Sequence, residues 1–298
     1  MKIALIGGSG FIGSATSRLL EVHGHDFTII DKRKTKVGSK SIYCNVLDSR
    51  RIQQVLKGFD IVYMFAAISN SHDNRREPVH SIDTNVMGLT NVLNACVANN
   101  VKRIVFCSSV WVYSTSPCST VHEETPLDIN LANHIYTSTK MSGEMLVRAY
   151  HSMFGLDYTI VRYGPAYGPG ANLETALSTF FSKVKNNEPI TIYGDGEQFR
   201  NFMHVTDHAR ANLAVLNDKC TNEVINFDGS DPISLNNIIQ FIEQKTGSSI
   251  KAKYKPAITG DYRGKIVSRR KAKELLGWNP VMSFEEGASL FYEQCMQP

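Results

Sequence analysis

Short apolar blocks recur through the first half of the chain, separated by stretches whose apolar residues return every three or four positions. Residues 2–6, 26–30, 60–65, 103–107 and 158–161 form apolar runs of strand length. Residues 11–20, 49–57, 79–98 and 134–154 carry helical spacing. Strands that are apolar on both faces and alternate with helices predict a parallel sheet covered on both sides. The expected fold class is therefore α/β, a Rossmann-type doubly wound sheet. Near Tyr163 the pattern breaks. RYGPAYGPGAN is rich in Gly and Pro and reads as loop, and shorter elements follow, with turns at 193–196, 228–231 and 259–264. We expect residues 1–165 to form a dinucleotide-binding domain, with a return segment at about 203–228. Residues 166–298 would form a smaller α/β substrate domain, with the ligand in the cleft between the two.

Composition narrows the function classes. With 298 residues, 42% of them hydrophobic and 20% charged, the chain can bury a full core without disulfide staples. Its six cysteines (Cys44, Cys96, Cys107, Cys118, Cys220 and Cys295) form no CxxC pair. That pattern argues against a zinc ribbon and fits a reducing, cytoplasmic compartment. No apolar run approaches the roughly 18 residues of a membrane span, and MKIALIGGSGFIG reads as a first strand rather than a leader. The net charge of +4 is mild. Nine Lys and Arg residues fall within 251–273, with only Tyr254 and Tyr262 as aromatics among them, so a solvated surface is expected there and not a nucleic-acid face.

The loop GGSGFIG places Gly7, Gly10 and Gly13 between the first strand and the first helix. Gly7 permits a tight turn, Gly10 lets the backbone approach a pyrophosphate, and Gly13 allows close packing of the helix. The helix N-terminus then offers free N–H groups to an anion. Asp31 follows eighteen residues after Gly13, at the end of the second strand. Its carboxylate suits the ribose hydroxyls of NAD and would repel a 2′-phosphate. Lys32 and Arg33 come next and keep NADP as the alternative.

YTSTK sets Tyr136 and Lys140 four residues apart, on one face of a predicted helix. An ammonium beside a phenol would favour the phenolate and make the tyrosine an acid or base near neutral pH. Ser108 and Ser109 sit at the C-terminal end of a central strand, the side where such sheets bind ligands. Alone, the Tyr-Lys spacing is as common in an amphipathic surface helix. With the glycine loop and the strand-end serines in this order, the catalytic reading dominates. His204 and His208 have metal-ligand spacing but lack a third ligand, so no metal site is expected. His134 lies two residues before Tyr136 and near the expected site.

Taken together, the chain resembles the extended short-chain dehydrogenase/reductases, in particular their nucleotide-sugar epimerase/dehydratase group of the UDP-glucose 4-epimerase type. The resemblance rests on GGSGFIG, Asp31, Phe65-Ala66-Ala67, Asn85 with Gly88, SSVWVYS, YTSTK, RYGPAYGPG, YGDGEQFRNFMHVTD and LGWNP, in family order. It implies a catalytic set of Ser109, Tyr136 and Lys140. It implies cofactor contacts from Gly7, Gly10, Phe11, Ile12, Gly13, Asp31, Lys32, Asn45, Val46, Phe65, Ala66, Ala67, Asn85, Ser108, Tyr136, Lys140, Tyr163 and Pro165. Substrate contacts would come from Ser69, Ser109, Trp111, Tyr136, Arg200 and Arg263. It also implies a homodimer built on a four-helix bundle of the 79–98 and YTSTK helices.

The chain departs from the family pattern in three places. Asn45 stands where an Asp is usual beside the adenine. Pro165 replaces a substrate-binding Asn, and Ile258 replaces an Arg that meets phosphate, with Lys255 or Arg263 as possible substitutes. A fourth difference bears on the reaction. Dehydratases of this group carry Asp-Glu directly after the catalytic Ser or Thr, and the related decarboxylases keep the Glu. Here the two places hold Val110 and Trp111, neither of which transfers protons. The expectation is an NAD-dependent epimerase acting at C4 of a nucleotide-diphosphate sugar through a 4-keto intermediate. A nucleotide-sugar reductase or dehydrogenase, or an NAD-binding sensor without turnover, are the alternatives. Trp111 is read either as a wall of the sugar pocket or as core.

Overall fold

The computed structural model describes residues 1–33, 40–69, 71–171, 175–257 and 262–296. The position compared with a phosphate-binding arginine, Ile258, and the first half of the expected turn at 259–264 lie outside these. Seven parallel strands form the central sheet: β1 (Lys2–Ile6), β2 (Asp26–Asp31), β3 (Ser41–Tyr43), β4 (Ile61–Met64), β5 (Arg103–Ser109), β6 (Asp157–Tyr163) and β7 (Glu223–Phe227). Their order is β7-β6-β5-β4-β1-β2-β3. The order reverses direction at β1, which pairs with β2 on one side and β4 on the other. Ligands bind such sheets beyond the carboxyl ends of the strands, at this reversal.

Both faces of the sheet are covered, as the apolar runs require. On β1, Ala4 and Ile6 point into one core with Ile52, Leu89, Leu93 and Val147. Those residues come from helices α2 (Ser49–Val55), α3 (Gly88–Ala98) and α4 (Ile135–Phe154). Ile3 and Leu5 point the other way, into a core with Leu20 and Ala211. Leu20 lies on α1 (Phe11–Val22), and Ala211 lies on a later helix, Val205–Ala214. The two-residue alternation along β1 thus divides its side chains between two apolar layers.

Two differences from the sequence pattern matter. The run 79–98 is not one regular helix. Pro78–Ile82 leads into a π-helical turn at Asp83–Met87, and only then does α3 begin. The extra residue of such a turn redirects side chains, and here Asn85 is buried toward α4. The second difference is β3, a short edge strand whose three residues carry no clear apolar alternation.

Beyond β6 the chain builds a third core from Phe181, Ile190, Ile192, Ile238, Phe241, Ile242, Phe284 and Phe291. The helices Ala176–Lys185, Leu235–Thr246 and Phe284–Met296 contribute most of these. The chain also returns to the first layer. Val205–Ala214 packs against α1, and β7 extends the main sheet beside β6. Among the described residues no helix is long and apolar enough to cross a membrane.

Candidate active site

The glycine loop joins β1 to α1 at the point where the strand order reverses. Gly7 has φ of +80°, and a Cβ there would lie 2.5 Å from the Ala66 nitrogen. A Cβ at Gly13 would lie 2.7 Å from the Gly7 carbonyl oxygen. Both positions therefore exclude side chains. Gly10 caps α1 without any side-chain hydrogen bond, so Phe11 and Ile12 open the helix with backbone N–H groups uncovered by a cap. The Ser9 hydroxyl is buried and has no hydrogen-bond partner among the described residues. A bare helix N-terminus beside a stranded hydroxyl fits a pyrophosphate.

Asp31 ends β2 with its carboxylate buried. Oδ2 accepts the Ser9 N–H at 3.0 Å, and Oδ1 accepts the Arg33 N–H at 2.8 Å. The Arg33 guanidinium folds back to 3.4 Å from the same oxygen, while Lys32 is exposed. A carboxylate offers about four acceptor sites, so Asp31 retains capacity for a ribose. Asn45 turns its own Oδ1 to the Leu47 N–H, and Val46 packs under Gly88. Phe65 and Ala66 both donate backbone N–H groups to the Ile6 carbonyl, which fixes the segment leading to Ala67 alongside the glycine loop. Asn85 clamps the next residues, accepting from the Ile68 N–H at 2.7 Å and donating to the Thr139 hydroxyl at 3.1 Å. The loop after β4 is thereby tied to α4, one residue before Lys140. Ser69 follows that clamp and is exposed.

The C-terminal ends of β5, β6 and β7 are in register, with Ser109 opposite Tyr163 and Tyr163 opposite Phe227. Ser109 is buried at the end of β5, and its Oγ accepts the Trp111 N–H at 3.2 Å, capping a short 3-10 turn. Tyr136 and Lys140 face it from the first turns of α4. Burial pushes the Tyr136 phenol up to about 12, although its contact with the Ser109 hydroxyl acts in the opposite direction. Lys140 is buried, and desolvation lowers its ammonium to about 8. Its Nζ donates to the Cys107 carbonyl at 2.6 Å and stands 5.6 Å from the Tyr136 ring centre. The expected lowering of the phenol by Lys140 is not the largest influence on it in this structure. The lysine is anchored on strand backbone, and burial dominates the tyrosine.

Two expected cofactor residues turn their side chains elsewhere. The Ser108 hydroxyl donates to Glu144 at 2.7 Å, inside a buried ionic network. There Glu144 pairs with Arg162 through bonds of 2.7 and 2.9 Å, and Arg162 also donates to the Tyr113 hydroxyl. The Tyr163 hydroxyl donates to Asn212, and its ring packs edge-on against His208, on the α1 side of the sheet. Pro165 takes part through its backbone, where its carbonyl accepts the Met203 N–H. His204 caps Val205–Ala214, and burial pushes the His208 imidazole down to about 3, which suits a neutral core residue.

On the far side of Ser109, Trp111 lies outside the apolar cores. Its ring is 5.3 Å from that of Tyr262, and the Arg200 guanidinium rests over both, at 5.3 Å from Trp111 and 4.7 Å from Tyr262. His134 approaches the other edge of the indole at 6.0 Å. Val110, in contrast, is core, packed with Tyr113, Met141 and Val267. Arg263 is not part of this group, since it forms a surface pair with Asp195 at 3.1 Å. Sequence reasoning passed over Tyr262 because its segment reads as a solvated basic stretch. It also passed over Asp228, a buried carboxylate just beyond β7.

A model of the NAD-dependent epimerase/dehydratase family matches residues 3–227, three quarters of the chain. The chain belongs to that family. It is 30% identical to a UDP-glucuronate 4-epimerase of Thermodesulfobacterium geofontis, covering 94% of this chain and 92% of that protein. Its structure superimposes on a UDP-glucose 4-epimerase of Thermotoga maritima, solved with UDP-glucose, at a TM-score of 0.90 and 29% identity. That match covers 99% of this chain and 98% of the other. A UDP-glucuronic acid 4-epimerase from Bacillus cereus, solved with UDP-glucuronic acid and NAD, gives a TM-score of 0.90 at 26% identity and 99% coverage of both chains. In this chain the glycine loop, Asp31 and Ser109 lie at strand ends of one sheet, with Tyr136 and Lys140 on the adjoining α4.

Proposed function

We propose that the protein epimerises a UDP-linked sugar at C4 through transient oxidation, holding NAD as a resident cofactor. The observation that carries this reading is local. Ser109, Tyr136 and Lys140 gather at the carboxyl ends of the strands, and the two residues after Ser109 are an apolar core residue and an indole. Elimination of water from C5 and C6 needs a further acid and base, and Val110 and Trp111 supply neither.

In this reading Tyr136 takes the proton from the C4 hydroxyl as that carbon is oxidised, and returns it when the ketone is reduced. Ser109 holds the same oxygen, and Lys140 stabilises the phenolate and binds the nicotinamide ribose. NAD held at the glycine loop and Asp31 would supply the hydride acceptor, and then the donor, for C4. Residues 1–165 with the return at about 203–228 form the NAD domain, and 166–298 hold most of the sugar-nucleotide contacts. The alternatives, a net reductase or a sensor without turnover, differ in consuming added NAD(P)H or in giving no product.

The proposed cytoplasmic location is supported by the free thiols of Cys44, Cys96, Cys107 and Cys220, all buried and dispersed. A homodimer through a four-helix bundle is supported by exposed apolar side chains on the two segments concerned. These are Val79, Ile82 and Met87 before α3, and Met145 and Met153 on α4. Light scattering that returns a monomer would remove the dimer.

The deciding experiment is native mass spectrometry of the purified protein for bound NAD, followed by a product screen with UDP-, GDP- and dTDP-sugars. Interconversion without added cofactor is expected, and Tyr136→Phe should abolish it while NAD stays bound. Full turnover in that variant would overturn the assignment.

A further inference from the structure

His134 is the N-cap of α4 and stands two residues before Tyr136. Its backbone is extended, with φ −134° and ψ 129°, and its Nδ1 accepts the Tyr136 N–H at 3.2 Å. Its carbonyl accepts from the Ser138 N–H and hydroxyl at 3.0 and 3.2 Å. An imidazole that accepts a backbone N–H through Nδ1 is neutral and carries its proton on Nε2. Burial, and then the charge of Arg75, lower its proton affinity and favour that neutral form. The two ring nitrogens point in different directions, so the Nε2–H is aimed away from the helix end that Nδ1 caps. The ring is only partly buried and lies against Trp111, two residues after Ser109.

The contrast with His204 is informative. That histidine also caps a helix through Nδ1, but its Nε2 is sealed in the protein against Tyr167. Capping alone is done as well or better by Asn, Asp or Ser. At residue 134 the ring that carries the second nitrogen is partly exposed and lies against Trp111.

We infer that His134 is a positioning residue with two tasks: Nδ1 fixes the backbone of Tyr136, and the Nε2–H donates a hydrogen bond to an oxygen of the bound sugar, whose apolar face rests on Trp111. This rests on the sugar-nucleotide reading above. The group recognised is a hydroxyl, ring or carboxylate oxygen, because a neutral Nε2–H only donates.

The test compares His134→Asn, which keeps an acceptor for the Tyr136 N–H, with His134→Ala, which removes both functions. Melting temperature, KM, kcat and calorimetric binding of UDP, UDP-glucose and UDP-glucuronate are measured on the NAD-loaded protein. The Asn variant should melt with the wild type and bind UDP unchanged, but bind the UDP-sugars about 3- to 10-fold more weakly, with KM raised to match. The Ala variant should lose melting temperature and kcat as well. An Asn variant equal to the wild type on every UDP-sugar would overturn the sugar contact, as would equal weakening toward UDP and UDP-sugars. Wild-type protein that binds UDP-sugars without converting them overturns the epimerase reading alone, and the binding difference still decides His134.

Discussion

Lys140 donates to the backbone carbonyl of Cys107 at 2.6 Å, and this contact holds a buried ammonium 5.6 Å from the ring centre of Tyr136. The charge is kept where solvation is poor, since burial pulls its pKa down from 10.5 to about 8. Folding therefore releases a proton between those two values. The sign follows directly. Stability is lowest where the buried amine is charged, below about pH 8, and rises as pH climbs from 8 toward 10.5. Lys140→Met should leave the melting temperature at pH 7 equal to or above the wild type, while turnover falls by about 10²- to 10⁴-fold. The gap in melting temperature should narrow between pH 7 and 9.5. A variant that melts well below the wild type at pH 7 would show that Lys140 is structural.

Glu144 follows Lys140 by one helical turn and holds Arg162 on β6 and Ser108 on β5. Burial acts to raise its carboxyl pKa, but the hydrogen bonds and charge of Arg162 outweigh that and leave it below the ordinary value. Both side chains are nearly inaccessible, at 3% and 1% exposure, so removing one strands the other. Glu144→Gln should cost about 3–5 kcal/mol, whereas Glu144→Gln with Arg162→Met should recover much of the loss. Chemical denaturation of the four proteins of this cycle measures it, and simple additivity would disprove the coupling.

The order of most strands and helices, the glycine loop and the meeting of Ser109 with Tyr136 and Lys140 were legible in the sequence because each has a local cause. Apolar runs make strands, and glycine permits close approach only where no side chain stands. Val110 and Trp111 could be read as incapable of proton transfer from their chemistry alone. The destinations of Ser108 and Tyr163 could not be read, because adjacent residues of a strand face opposite layers and both ends look alike in a linear pattern. Tyr262 was hidden for another reason. Its partners Trp111 and Arg200 are distant in sequence, so nothing in its own basic segment marks it as a member of that group. The π-helical turn before α3 likewise leaves the apolar spacing almost unchanged.

Asp31 and Arg33 make the cofactor choice testable. The carboxylate now holds the Arg33 backbone N–H at 2.8 Å and its Nε at 3.4 Å. Asp31→Ser removes the acceptor for a ribose hydroxyl and frees the guanidinium to meet a 2′-phosphate. NAD binding should weaken by about 10- to 100-fold, the worth of a charge-assisted hydrogen bond, and NADP binding should strengthen. Calorimetry with both dinucleotides measures the ratio. An unchanged preference would remove Asp31 from the ribose site.

Asp228 lies just beyond β7, near Tyr262, and is fully buried. It accepts from the Asn201 amide at 2.8 Å and from the Gly229 N–H at 3.1 Å, and it touches the backbone at Gly164, where a Cβ would overlap it. Burial dominates these contacts and the charge of Arg269, and raises the carboxyl pKa from 3.8 to about 7. A raised acid takes up a proton on folding, so its contribution is present at low pH and is lost as pH rises through 7. Asp228→Asn preserves the shape and cannot ionise. Between pH 5.5 and 8.5 the wild type should lose about 2 kcal/mol relative to this variant, a few degrees of melting temperature. Parallel melting curves across that range would mean that Asp228 does not titrate there.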